Sequence, residues 1–116
     1  MLYALLLYED ETAYGGPDKA SGPVGKEVFA RHMAFQKEIG AARVTSAGLK
    51  GSATATTVRT RAGKQTIHDG PFAEAREQLG GLYVVDAPNL DAALAMAKRL
   101  PAAGDCAVEI RPLLGG

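Results

Sequence analysis

Apolar residues run almost unbroken from Leu2 to Tyr8 (LYALLLY), the pattern of a central strand covered on both faces. Glu9 to Gly25 then holds four glycines and two prolines among polar residues, which predicts a long connection of the kind that often rims a site. From Glu27 to about Ala41 the period changes to that of a helix. Val28, His32, Phe35 and Ile39 fall on one face, Phe29 and Met33 widen it, and Arg31, Lys37 and Glu38 lie opposite. Arg43 to Leu49 predicts a short strand ending near Gly48. Ala55 to Arg61 and Gln65 to His68 form a hairpin around Ala62-Gly63-Lys64. Gly70-Pro71 ends that hairpin, because proline lacks an amide donor and restricts the residue before it. Ala73 to Gln78 predicts one or two helical turns. Gly81 to Asp86 alternates as a strand, with Leu82 and Val84 on one face and Tyr83 and Val85 on the other. Asn89 is a natural N-cap for a helix whose stripe is Leu90, Ala93, Leu94, Ala97 and Leu100, stopped by Pro101. Ala107 to Pro112 closes the chain as a strand with Val108 and Ile110 inward.

The order is β-α-β, an inserted hairpin, then β-α-β, within one domain of 116 residues. This split order predicts an α+β, ferredoxin-like βαββαβ fold: an antiparallel sheet with both helices on one face. Leu5, Leu7, Tyr83 and Val84 leave both faces of the central strands partly apolar. A homodimer with two sheets face to face is the simplest cover.

Charge and composition narrow the function. Thirteen basic and thirteen acidic residues cancel, so no net basic field points to nucleic acid or to an anionic membrane. The opening apolar run is too short to span a bilayer and lacks the flanks of a signal peptide, so the expected compartment is a reducing cytoplasm. The single cysteine, Cys106, reads as a small apolar residue at a strand start. One cysteine and two histidines make a structural zinc site an unpromising reading, and no metal or cofactor is expected. No phosphate loop, dinucleotide fingerprint, nucleophile elbow or HExxH occurs.

The run DGPFAEAREQLGGLYVVDAPNLDAALAMAKRLP resembles the signature of the DGPF branch of the YCII-related proteins. The upstream TATTVR, the opening LYALLLYEDE and the closing VEIRPL are similar to that branch too, from Leu2 to about Leu113. The resemblance implies a ferredoxin-like subunit of a dimeric α+β barrel. Members of the branch often lie in bacterial genomes beside extracytoplasmic-function sigma factors. More distant relatives include catabolic enzymes acting on small aromatic or lactone compounds, some with a histidine-aspartate pair. The superfamily also holds isomerases, cofactor-free monooxygenases and plain ligand-binding modules. Departures from the branch pattern are His68 before Asp69, Ala75 for Thr, Arg76 for Lys, and Gly48-Leu49 where Gly-Glu is frequent. Arg76 keeps the charge but replaces an amine able to transfer protons by a fixed guanidinium fork.

The candidate chemistry centres on His32 and Asp69. His32 sits inside the apolar stripe of its helix, close to where YCII-like relatives carry a histidine. It reads either as a packed core histidine or as a general acid-base. Asp69, held in the Gly-Pro turn, either orients and charges an imidazole or hydrogen-bonds its own turn. His68 neighbours Asp69 but points to the opposite strand face, so it is the lesser actor. Arg59 and Arg61 share a face, and Glu74, Arg76 and Glu77 form a charged run. All five read as solvated charges. In the functional alternative Arg59 and Arg76 hold a ligand's anionic group, and Glu74 and Phe72 rim the same pocket. Gly80-Gly81 marks a close backbone approach. The leading expectation is a cofactor-independent site for a small molecule, using Asp69 and His32, roofed by the Asp10 to Gly25 loop. The alternatives are a regulatory or ligand-sensing module answering to a sigma factor, and a domain whose whole task is dimerisation.

Overall fold

The computed structural model describes residues 1–15 and 18–116. The opening apolar run becomes β1 (Leu2–Asp10), followed by α1 (Pro23–Ile39), β2 (Arg43–Gly48), β3 (Thr56–Arg61), β4 (Lys64–Asp69), β5 (Glu77–Asp86), α2 (Leu90–Ala97) and β6 (Cys106–Pro112). Four strands form one sheet in the order β2-β5-β1-β6, with every pair antiparallel, and β3 and β4 form a separate two-stranded sheet. This is the ferredoxin-like α+β arrangement that the element order predicts, with the hairpin set outside the main sheet.

The core lies on one face. Tyr3 and Leu5 of β1 and Tyr83 and Val85 of β5 pack with Phe35 of α1 and with Ala93, Ala97 and Leu100 at α2, flanked by Val108 and Ile110 of β6. These strand residues share a parity, so both helices cover the same side. The opposite side presents Ala4, Leu6, Tyr8, Leu82 and Val84 half-buried.

Several local expectations are corrected. α1 starts at Pro23 instead of Glu27, because proline suits the first helical position, where no amide partner exists. Phe29 and Met33 do not join the core stripe and stay largely exposed, as do Leu90 and Leu94. The turns expected over Ala73 to Gln78 are absent. Glu77 and Gln78 pair with Asp10 and Glu9 and lengthen β5, while the Gln78 amide donates to the carbonyls of Ala73 and Ala75. Strand pairing and side-chain bonds thus take the groups a helix would have used. Asn89 caps α2 as expected, its Oδ1 accepting from the amide of Ala92 at 2.9 Å.

The β3–β4 arm turns through Ala62 and Gly63, both at positive φ, the twist-matched two-residue hairpin loop. It projects from the body, and the radius of gyration is 15.5 Å where about 13 Å is usual for this length. Among the described residues, no helix is long and apolar enough to cross a membrane.

Candidate functional site

A cavity of about 950 Å³ opens between α1 and the β2–β5–β1 side of the sheet. Two polar groupings line it amid apolar walls from Leu7, Val28, Phe29 and Leu49.

The first grouping starts from β1. Its alternation places position 9 on the same side as Tyr3, Leu5 and Leu7, so a carboxylate occupies a core position: Glu9 is 3% exposed. Room for it comes from a bulge. Leu7 pairs with Gly81 and Tyr8 with Leu79, leaving Gly80 as the extra residue. A Cβ on Gly80 would overlap the Glu9 carboxylate and lie 2.5 Å from its Cδ. The carboxylate is satisfied on both oxygens. Tyr14 donates its hydroxyl to Oε1 at 2.6 Å, and the Lys19 ammonium meets Oε2 at 2.6 Å. Lys19 also donates to the carbonyls of Leu49 (3.0 Å) and Gly80 (3.3 Å), and its ammonium lies 5.5 Å from the centre of the Tyr14 ring. Burial and the adjoining Glu9 carboxylate push the Tyr14 phenol far above its ordinary value, so it stays a donor.

The second grouping is His32, Gln36 and Tyr83. One helical turn apart on α1, His32 and Gln36 both reach the hydroxyl of Tyr83, at 2.9 Å from Nδ1 and 3.1 Å from Nε2 respectively. The His32 and Tyr83 rings stack at 5.9 Å, and Phe35 meets Tyr83 edge-on at 5.4 Å. The Gln36 amide donates to the phenol oxygen, so with the imidazole in its Nε2–H tautomer the phenol proton is donated to Nδ1. Burial holds His32 below its ordinary value, against the opposing pull of the Pro101 carbonyl and the Glu9 carboxylate. Burial likewise raises the Tyr83 phenol, with Gln36 and the charge of Arg43 pulling it back. The arrangement is an imidazole–phenol pair, the phenol buried and the imidazole half-buried, in which both shifts favour the uncharged forms and keep the proton on the phenol.

The depressed imidazole carries a stability consequence. An unfolded chain with an ordinary histidine takes up a proton below about pH 6.5, where folded His32 still resists one. The His32 contribution is therefore fully present above the unfolded value and is lost as pH falls towards the folded one. We expect the urea midpoint to fall from pH 7 to pH 5 more steeply in the wild type than in His32→Gln. Parallel curves would contradict the assignment.

The other sequence-predicted residues lie elsewhere. Asp69 ends β4 on the arm, where it is exposed and pairs with Thr56. It does not line the cavity that His32 lines, and no hydrogen bond joins the two among the described residues. Among the described residues its carboxylate makes no hydrogen bond, the expected bond to its own turn included. The Gly70 amide instead donates to Ala55, and Thr57 donates to the Gly70 carbonyl, each at 2.7 Å. His68 faces the other side of β4 and leans on the turn, with Nε2 3.4 Å from the Pro71 carbonyl. Arg59 and Phe72 do meet, guanidinium over ring at 5.0 Å, but on the arm, where Phe72 is 73% exposed. Arg76 reaches back to Asp10 at 3.3 Å and shares with Glu74 a shallow polar cleft beside Thr12 and Ser52. Thr12, and after it Arg76, hold the Asp10 carboxyl below the usual carboxylate value.

Of the expected roof, Tyr14 and the segment Asp18 to Ala20 line the cavity, while the part falling on Gly16 and Pro17 lies outside the described residues. Sequence reasoning missed Glu9, Tyr14, Lys19, Gln36 and Tyr83. The usable signals were the parity of Glu9 on β1 and the Gly-Gly pair on β5. No group of three or more His, Cys, Asp or Glu side chains among the described residues is placed to hold a metal ion.

The family model described as the YCII-related domain matches residues 1–115. The chain belongs to the YCII-related family. Among relatives of this YCII-related chain is an uncharacterised protein of Rhizobium meliloti (strain 1021), 37% identical over 119 residues, an alignment covering 97% of this chain and 92% of that one. The cavity, with His32 and Glu9 in its walls, is thus described on a YCII-related fold whose similar relative carries no stated activity.

Proposed function

We propose that the chain binds a small molecule with an aromatic or lactone-like body in the α1–sheet cavity and acts on it by proton transfer through His32 and Tyr83, using its own side chains. The observation that carries this reading is the half-buried imidazole hydrogen-bonded to a phenol, and held below its ordinary value by burial, in the wall of a roomy, mostly apolar cavity. Such pairs are where proton-transfer chemistry concentrates. Glu9 and Lys19 are the fixed, mutually neutralised floor. Asp69 belongs to this scheme only if the arm of a second chain brings it to the cavity.

A second chain is part of the proposal. The half-buried apolar side of β1 and β5 favours a homodimer closed over Leu6, Leu82 and Val84. Leu6→Asp is expected to convert the dimer to monomer in sedimentation velocity runs, and a monomeric wild type would sink that part.

The binding part is tested by titrating the full chain with 2-naphthamide and following the ring signals of His32 and Tyr83. Shifts confined to α1, β1, β2, β5 and the roof residues Tyr14 and Asp18 to Ala20 support the cavity, whereas shifts elsewhere, or none, overturn it. For any compound the chain turns over, His32→Gln is expected to lower kcat about 10²- to 10⁴-fold with a smaller effect on KM.

A ligand-sensing module linked to an extracytoplasmic-function sigma factor is the second reading. One feature favours it: the His32 Nδ1 is already engaged by the Tyr83 hydroxyl at 2.9 Å, so that nitrogen is not directed at open space. Binding without turnover of any aromatic or lactone compound would select it.

A further inference from the structure

We infer that the cavity selects ligands bearing a carboxylate on their apolar body, and that Arg43 is the residue that receives it. The inference rests on the small-molecule reading above and names the ligand class for the same cavity.

The protein as a whole has no net charge, yet its cavity does. Lys19, Lys26, Arg43 and Lys50 line it against only Glu9 and Asp18, an excess of two positive charges. The anions are already engaged. Glu9 is held by Lys19 and Tyr14. Asp18 accepts from the amide of Ala20 at 2.9 Å, and the charge of Lys50 helps keep its carboxyl below the usual value. The folding chain thus gathers a local positive field from residues spread between Lys19 and Lys50, a feature invisible in the linear charge pattern.

Within that field Arg43 is the best-placed acceptor of an anion. It opens β2, the edge strand beside β5, and its guanidinium makes one hydrogen bond among the described residues, to the Ser46 hydroxyl at 3.3 Å. A guanidinium has five N–H donors, so most of the fork is available for bidentate contact with a carboxylate. Arg43 bonds Ser46, and Ser46 pairs with Tyr83 across β2 and β5, which puts the anion subsite at the same end of the cavity as the His32–Tyr83 pair. Arg59 and Arg76, the expected anion holders, are spent on Phe72 and Asp10 and lie outside the cavity. A carboxylate on Arg43 would leave the apolar body along Val28 and Phe29, where the exposed Phe29 ring lacks a cover.

The test compares 2-naphthoate with its neutral isostere 2-naphthamide on the full chain at pH 7, by calorimetry and by the His32 and Tyr83 ring signals. The naphthoate is expected to bind about tenfold more tightly or better, since a bidentate guanidinium–carboxylate pair is charge-assisted and the amide's contact is not. Arg43→Met should abolish that preference and leave the amide within about twofold, and Arg43→Lys should restore part of it. Arg43 is exposed, so these variants are expected to fold. Equal binding of both probes at His32 and Tyr83 would refute the carboxylate class while leaving the cavity intact. A preference that survives Arg43→Met would refute Arg43. Failure of both probes to move either ring would overturn this inference together with the small-molecule reading.

Discussion

Glu9→Gln is expected to destabilise the chain by about 3–5 kcal/mol, the usual consequence of removing one member of a buried ion pair. The side chains of Lys19 and Glu9 are only 14% and 4% exposed, so solvent screens the pair weakly. In the variant the Lys19 ammonium remains among the carbonyls of Leu49 and Gly80 without a counter-charge, and desolvation goes uncompensated. Lys19→Met leaves the mirror problem, a buried carboxylate with Tyr14 as its remaining partner. The double variant Glu9→Gln/Lys19→Met removes both charges and is expected to recover a large part of the loss, because replacing a whole buried pair by neutral groups is often close to neutral. Urea unfolding at pH 7 of the four proteins measures this cycle. Small, additive losses of under about 1 kcal/mol each would show that the pair does not hold the roof segment to the sheet.

Gly25→Ala reverses the sign that helix propensity alone would give. Gly25 lies in the first turn of α1, where alanine ordinarily gains up to about 1 kcal/mol over glycine. Here a Cβ would overlap the Lys19 carbonyl oxygen and lie 2.8 Å from its carbonyl carbon, so backbone must move. A loss of roughly 2–4 kcal/mol is expected from this overpacking. The displaced Lys19 would also leave the Glu9 carboxylate without its counter-charge, as in Lys19→Met, so Gly25→Ala and Glu9→Gln should be strongly non-additive. Gly48→Ala is the control, since a Cβ there meets nothing within 4 Å and its stability should stay within about 0.5 kcal/mol of wild type. A Gly25→Ala protein as stable as that control would place the roof segment elsewhere.

These two positions explain why the fold was legible in the sequence and the site only partly. Periods of two and of 3.6 report burial directly, so β1, α1, β5 and the Asn89-capped α2 could be read, as could the excluded hairpin. The failures at the element level have one cause: tertiary partners outbid local preference. Glu77 and Gln78 extend β5 because Asp10 and Glu9 offer a ladder, and Phe29 leaves the core because α1 stands over a cavity there. His32 was legible because a polar residue broke an apolar stripe. Glu9 broke one too, but its place at the end of β1 made it look like the start of a loop. Tyr14, Lys19 and Tyr83 gave no local sign, since a tyrosine or lysine becomes chemically distinctive only through its neighbour in the fold, Glu9 for the first two and His32 for Tyr83. Asp69 drew attention through a specific motif, and within the chain that motif builds the arm's terminal turn instead of a cavity wall.

The central claim is that His32 and Tyr83 form a neutral, hydrogen-bonded pair in the cavity wall. An NMR titration of the histidine ring signals in wild type and in Tyr83→Phe tests it most directly. His32 is expected to titrate below its ordinary 6.5, and loss of the phenol that donates to the neutral imidazole is expected to move the value upward. A His32 that titrates at or above 6.5, indifferent to Tyr83, would contradict it.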